Sequence, residues 1–274
     1  MDNRESVIFV TGASSGIGNA CATYLAKKGM RVYGTCRNPS SYNKNADEFF
    51  EMLALELTDE SSVAKAAGAI LSKEGRIDAI VCCAGSGLLG SVEEVGVDEA
   101  RELMDIDYFG TLRTIKAFLP AMREAGRGRI VIAGAMEGLL ASPFQSSFSA
   151  AEFALEGLAQ ALRMEVSRFG VEVGVLEVAA FRSDFGQRRR TLIGEEASPY
   201  KEGVDGALAV LARDDAEGYD PLAAAKAVHS MLRARRMPPR KILGPWRRRR
   251  FVLWRGLVGL NAVERRVRRY FSPD

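Results

Sequence analysis

Seven residues near the start of the chain, Gly12-Ala13-Ser14-Ser15-Gly16-Ile17-Gly18, could hold phosphate. Glycine lets a backbone turn sharply and approach an anion without a Cβ in the way. A helix beginning near Ser15 would add unpaired N–H groups and a positive dipole end. The chemistry indicated is binding of a dinucleotide pyrophosphate; the alternative is a purely structural tight turn. Arg37 follows the second predicted strand. An acidic residue there would take the ribose hydroxyls of NAD, whereas a basic one can pair with the 2′-phosphate of NADP, so Arg37 argues for NADP(H). Its other reading is a solvated loop arginine. His229 is the single histidine, so a multi-histidine zinc site is excluded and no metal is expected. A Ser-His-Asp hydrolase would have to use that residue, which sits in a late, Ala-rich helical stretch better suited to packing. Cysteines 21, 36, 82 and 83 show neither metal spacing nor a disulfide framework, which fits a reducing cytoplasm.

The elements that must position these residues alternate. Short β-branched runs near 6–11, 31–36, 52–57, 78–83, 129–134, 171–177 and 240–244 read as strands. Helical patterns fall near 16–28, 60–74, 98–124, 146–169 and 221–235. Gly29, Gly75, Gly126 and Gly170 follow four of the helices, as left-handed end caps should. Pro120 is placed to bend the third helix. The expectation is a single doubly wound α/β domain over residues 1–244, Rossmann-type, with a parallel sheet of order 3-2-1-4-5-6-7 flanked by helices. Residues 181–220 break the alternation and read as a substrate lid over the carboxyl ends of the strands, where such folds bind ligands.

At 274 residues and 47% apolar, the chain suits one large core, and no run is long and apolar enough to span a bilayer. Met1-Asp2-Asn3-Arg4-Glu5 leads into a strand and does not resemble a signal peptide. Charge is uneven. From Ser230 onward fourteen Lys and Arg stand against Glu264 and Asp274, a balance of +12, so the remainder carries −9 of the total +3. Residues 245–274 form a basic amphipathic segment read as a C-terminal helix. The favoured reading docks it on its own domain or on a second subunit. Peripheral attachment to anionic lipid through Trp246, Trp254 and Leu257, or contact with an acidic protein, stays open. No nucleic-acid motif accompanies the arginines, so nucleic acid is not expected.

Specific motifs then add to this reading. Thr11-Gly-x-x-x-Gly16-x-Gly18 is intact, Pro143-Phe144-Gln145 precedes Phe153-Ala154-Leu155-Glu156-Gly157-Leu158, and Cys82-Cys83-Ala84-Gly85 stands where Asn-Asn-Ala-Gly is usual. From about residue 6 to residue 183 the chain resembles the short-chain dehydrogenase/reductase family, nearest to its 17β-hydroxysteroid and retinol dehydrogenase branch. The resemblance implies that Gly12, Ser14, Ser15, Gly16, Ile17, Gly18, Arg37, Glu56, Leu57, Cys83, Ala84 and Gly85 contact the cofactor, with Leu57 flanking the adenine. It implies a homo-oligomer built on the long helices.

It also implies a catalytic Asn, Ser, Tyr and Lys, and here the chain departs at every position. The Asn position is Asp107, the Ser position Ala135, the Tyr position Phe148 and the Lys position Glu152. No tyrosine lies between 109 and 199 and no lysine between 117 and 200, so no shift of register restores them. A positioned general acid is worth about 10² to 10⁴ in rate, so ordinary ketone reduction should be negligible. Phe148 and Glu152 are four apart and share a helix face. Asp107 and Glu152 would place two carboxyls where an amide and a cation stood, with Glu137 as a third candidate. Buried together, one carboxyl should keep its proton near neutrality. The leading expectation is a repurposed enzyme acting on an apolar small molecule by carboxylate-assisted isomerisation, dehydration, cyclisation or C=N reduction. Leu88, Leu89, Leu139, Leu140, Phe144 and Phe181 would line its pocket, and Arg188, Arg189 and Arg190 would meet an acidic substrate, cofactor phosphates or solvent. The alternatives are a catalytically inactive NADP-binding scaffold and a carbonyl reductase of very low activity.

Overall fold

The computed structural model describes residues 6–42, 49–192, 198–246, 249–250, 252 and 259–271. Strand β1 (Val7–Val10) is apolar throughout and buried on both faces, as an inner strand of a parallel sheet must be. Its side chains alternate. Val7 and Phe9 join the core on one face, and Ile8 and Val10 the core on the other. Around it lie β2 (Arg31–Cys36), β3 (Glu51–Ala54), β4 (Ala79–Cys82), β6 (Gly128–Ala135), β7 (Val171–Val178) and β9 (Arg240–Leu243). All pairings are parallel and the order is β3-β2-β1-β4-β6-β7-β9. This is the expected order, the two remaining strands forming a ladder of their own. That ladder joins β5 (Leu88–Leu89) to β8 (Arg190–Thr191).

Helices α2 (Glu60–Glu74), α4 (Gly110–Glu124) and α5 (Ser146–Val166) cover one face of the sheet. Helices α1 (Gly16–Lys27) and α8 (Pro221–Arg233) cover the other. His229 lies in this second layer, its ring edge-on to Tyr24 at 5.6 Å between centroids. Gly29, Gly75, Gly126 and Gly170 all have positive φ, so each helix stop read from the sequence is a left-handed turn.

The span near 98–124 is two helices rather than one. Helix α3 (Val97–Met104) and α4 are separated by a π-helical turn over Asp105–Phe109. One extra residue per turn re-aims the side chains there, and such turns often mark functional sites. Helix α4 runs on through Pro120, so the break falls upstream of the proline.

The span 181–220 is closed at its base. Phe181 bridges Tyr219, and Arg182 N–H donates to the Tyr219 carbonyl at 2.9 Å. Within it lie the short α6 (Phe185–Arg188), β8, and α7 (Lys201–Ala216), a helix the sequence pattern did not reveal. Gly203, Gly206 and the acidic pair Asp214-Asp215 dilute its apolar periodicity. The last helix, α9 (Leu260–Phe271), buries Val263, Val267 and Phe271 against α7, in the cluster that holds Leu89, Val204 and Leu211. Its apolar stripe is thus occupied by its own chain. Trp246 is exposed, and Trp254 and Leu257 lie outside the described residues.

Candidate active site

The carboxyl ends of β1, β4, β6 and β7 converge on one crevice. On its first side the glycine turn is locked from below. Thr11 Oγ1 accepts hydrogen bonds from Cys83 N at 3.0 Å and Ala84 N at 3.1 Å, and Ala13 N donates to the Thr35 carbonyl at 2.8 Å. A Cβ on Gly12 would lie 2.8 Å from Ala84 Cα, and one on Gly18 would lie 2.3 Å from the Gly12 carbonyl oxygen. Only glycine fits at either position. The N-cap Ser15 makes no side-chain cap bond to α1, which leaves first-turn N–H groups for an anion. The close backbone approach and the uncapped helix end fit a pyrophosphate.

The three lid arginines part company. Arg188 reaches over the glycine turn, donating to Ser15 Oγ and pairing with Asp184 at 2.7 Å. Arg189 is buried against Phe185 and pairs with Asp215 at 3.2 Å. Arg190 pairs with Glu99 and Glu102 on α3. Arg37 is exposed at the end of β2 and forms no ion pair among the described residues. The two adenine-side positions have the following neighbours. The Glu56 carboxylate accepts from Thr58 N and Oγ1, and Leu57 is buried against Gly110.

On the crevice's second side stand the carboxyls. Asp107 comes from the π turn and is 2% exposed. Its Oδ1 accepts from Ser86 N at 2.7 Å and Ser86 Oγ at 3.2 Å, while its buried Oδ2 has no hydrogen-bond partner among the described residues. Desolvation pushes the group up to about 7, against the pull of the Ser86 bonds. Glu152 projects from the first half of α5, and its Oε2 accepts from Ala135 N at 2.6 Å. Burial raises its pKa well above the usual carboxylate range, and the nearby Asp107 and Glu137 raise it further. Glu137, on the turn after β6, is buried and accepts from Ser142 Oγ at 3.2 Å. Phe148 offers no proton and packs with Leu88, Leu103 and Phe185. The structure therefore brings Asp107, Glu137 and Glu152 together, with Ala135 and Phe148 between them and the lid.

Two further carboxyls were not foreseen. Glu177 on β7 is 1% exposed and its Oε2 has no hydrogen-bond partner among the described residues. Strand periodicity sends it to the side of Val173 and Val175, facing α5. There it meets Glu156, which pairs with Arg240. Desolvation lifts Glu177 to about 11, and contact with Glu156 adds to it. The available signal was parity: Glu177 shares the register of the apolar Val171, Val173 and Val175, whereas Glu172 lies on the opposite one. Ser86, which holds Asp107, carried no signal, and Thr11 was visible only as the first residue of the glycine motif.

The apolar residues expected to line one pocket are dispersed. Leu88 packs with Phe148 at the crevice, Leu139 is buried, Leu89, Leu140 and Phe144 pack beneath α9, and Phe181 belongs to the core on the α1 side. Met136, Glu137, Leu140, Ser142, Val267, Tyr270 and Phe271 enclose a cavity of about 20 Å³. That is scarcely more than a water needs. Tyr270 does not stand in for the missing acid, because its hydroxyl donates to Asp214 at 2.5 Å.

The family model described as short chain dehydrogenase matches residues 6–192. A 3-ketodihydrosphingosine reductase of Bacteroides thetaiotaomicron is 32% identical over 244 residues, covering 88% of this chain and 89% of that one. The human 17-beta-hydroxysteroid dehydrogenase type 1 is 35% identical over 196 residues, 67% of this chain but 59% of the relative. Among solved structures, a short-chain dehydrogenase of Streptomyces avermitilis superposes with a TM-score of 0.83 at 32% identity, covering 97% of this chain and 96% of that one.

Proposed function

The chain belongs to the short-chain dehydrogenase family, and from that premise we propose that it binds NADP(H) and works on an apolar small molecule by acid–base chemistry of the Asp107–Glu152 pair. The observation that carries the reading is Asp107, a buried carboxyl with one oxygen fixed by Ser86, the other unpartnered, and an affinity for protons near neutrality. Such a group donates and accepts a proton at physiological pH, the condition for a useful general acid or base. Glu152, held by Ala135 N beside it, keeps its own proton and cannot cancel the charge of Asp107 as a lysine would. Proton abstraction by Asp107 with return from Glu152 is what an isomerisation, dehydration or cyclisation requires. The same two carboxyls would also stabilise a cationic C=N group.

When bound, NADP(H) supplies or removes hydride. The chain's own residues hold it: backbone from Gly12 to Gly18 at the pyrophosphate, Arg188 at the mouth of the turn, and Arg37 for a 2′-phosphate. Leu88 and Phe148 give the crevice apolar walls that exclude water. An apolar substrate is consistent with relatives named for a ketodihydrosphingosine and a hydroxysteroid.

The test is calorimetric titration with NADPH and NADH, followed by turnover assays on apolar ketones, enones and cyclic imines. The reading expects tighter binding of NADPH, no measurable alcohol–ketone interconversion, and turnover of another class that Asp107→Asn and Glu152→Gln abolish with NADPH binding intact. Brisk, stereoselective ketone reduction would refute it.

A further inference from the structure

The carboxyls do not stop at the crevice. On α5, Glu152 and Glu156 are one turn apart, and Glu177 faces both from β7. A Cβ built on Gly134 would lie 3.1 Å from Glu152 Oε2 and 3.4 Å from Glu177 Oε2, so the two oxygens converge over that glycine. The Glu177 carboxyl touches Glu156, which forms a two-point ion pair with Arg240 on β9. The Arg240 side chain is 45% exposed and the Glu156 side chain 12%. The line thus begins in the crevice at Asp107 and Glu152, crosses the space between sheet and helix at Glu177, and surfaces beside Arg240.

We propose that Glu177 and Glu156 form a proton conduit linking the Asp107–Glu152 pair to solvent on the α5–β9 side of the molecule. The proposal rests on the acid–base reading of that pair. A carboxyl buried this deeply is expensive unless its charge is neutralised. The groups facing Glu177 are Glu152 and Glu156, with Asp107 and Glu137 beyond Glu152, and Arg240 and Arg163 on the outer side. No cation among them lies on the inner side. Glu177 is therefore held as a neutral acid, with burial as the main cause and Glu156 as the second. Glu156 is raised by burial, but its bonds to Arg240 and Glu177 outweigh this and keep it ionised. An ionised acceptor thus adjoins a protonated donor, whose other oxygen stands unpartnered near Glu152. In each turnover Glu152 gives up its proton and takes another from Glu177. Glu177 is reprotonated through Glu156 from water, and Asp107 gives the proton it abstracted to water at the crevice mouth on product release, so none accumulates. Each transfer breaks one O–H bond and forms one, and no electrons move. Glu177 acts through Glu152 and is a positioning residue for its proton.

The experiment is rapid mixing of the full chain into D₂O at about pH 8, following the carboxylic C=O stretch of Glu152 by infrared spectroscopy, with Glu152→Gln used to assign the band. The stretch shifts when deuterium replaces hydrogen, so the rate reads proton traffic without any turnover. Glu177→Gln keeps the shape and removes the carrier, and should slow exchange by about a hundredfold, as expected on losing a positioned proton donor. Glu156→Gln cuts the outer end and should slow it comparably, which keeps the test available if Glu177→Gln does not fold. The exposed Glu165→Gln on the same helix should leave the rate unchanged. Unaltered exchange in both Glu177→Gln and Glu156→Gln would overturn the conduit. A chain that exchanges as described yet turns over no substrate would refute the proposed function and leave the conduit standing.

Discussion

Asp107 differs from an asparagine only in a terminal group that can lose a proton. That difference has a pH signature. The unfolded carboxyl titrates near 3.8 and the folded one near 7, so between these values the folded chain holds a proton the unfolded chain has lost. The stability contributed is complete below the unfolded value and is lost as pH rises through the folded one. Asp107→Asn cannot lose that proton, and it preserves an acceptor for Ser86. The variant should match the parent near pH 4 and exceed it by about 2 kcal/mol near pH 8 in denaturant unfolding, a discounted value because buried sites relax. The carboxyls Asp107, Glu137 and Glu152, picked out from their flanking motifs, do lie near one another in the structure. Glu177 was not picked out, because an acid in a mostly apolar strand, like Glu172 five residues before it, reads as an outward-facing residue until the partner helix is known. Here that helix presents Glu152 and Glu156 to it.

At the scale of elements, the glycine turn and α1 were plain because their physics is local: a strand, glycines with no room for a Cβ, and a helix end without a side-chain cap. The π turn was hidden because no glycine or proline lies within Asp105–Phe109 to mark it, and Pro120, further along α4, marks no break. The tail was legible as an amphipathic helix but not in its destination. Val263, Val267 and Phe271 look the same whether they meet lipid, a partner or α7. Their burial against α7 makes α9 the outer wall of the small cavity beside Glu137. Phe271→Ala should therefore cost about 3 kcal/mol of stability by thermal or chemical unfolding, the usual result of emptying a buried aromatic site. If α9 were instead a loosely held surface segment, the loss would stay below about 0.5 kcal/mol.

For the molecule as a whole, the alternation of strands and helices was enough to give the sheet order, since right-handed crossovers leave few ways to wind such a chain. It could not give the charge relationships across the sheet, which arise between residues far apart in sequence. The outcome is a fold divided by function: a backbone cradle at the ends of β1 and β4, and a line of acids running from the ends of β4 and β6 to the edge at β9. The claim on which all of this turns is that the acids hold protons at neutral pH. It is tested most directly by ¹³C NMR titration of the side-chain carboxyls in the full chain. Asp107 should titrate near 7, Glu177 near 11, and Glu152 well above the usual range. Ordinary values near 4 for all three would contradict it, and would mean that the crevice is open to water and its carboxylates are merely solvated.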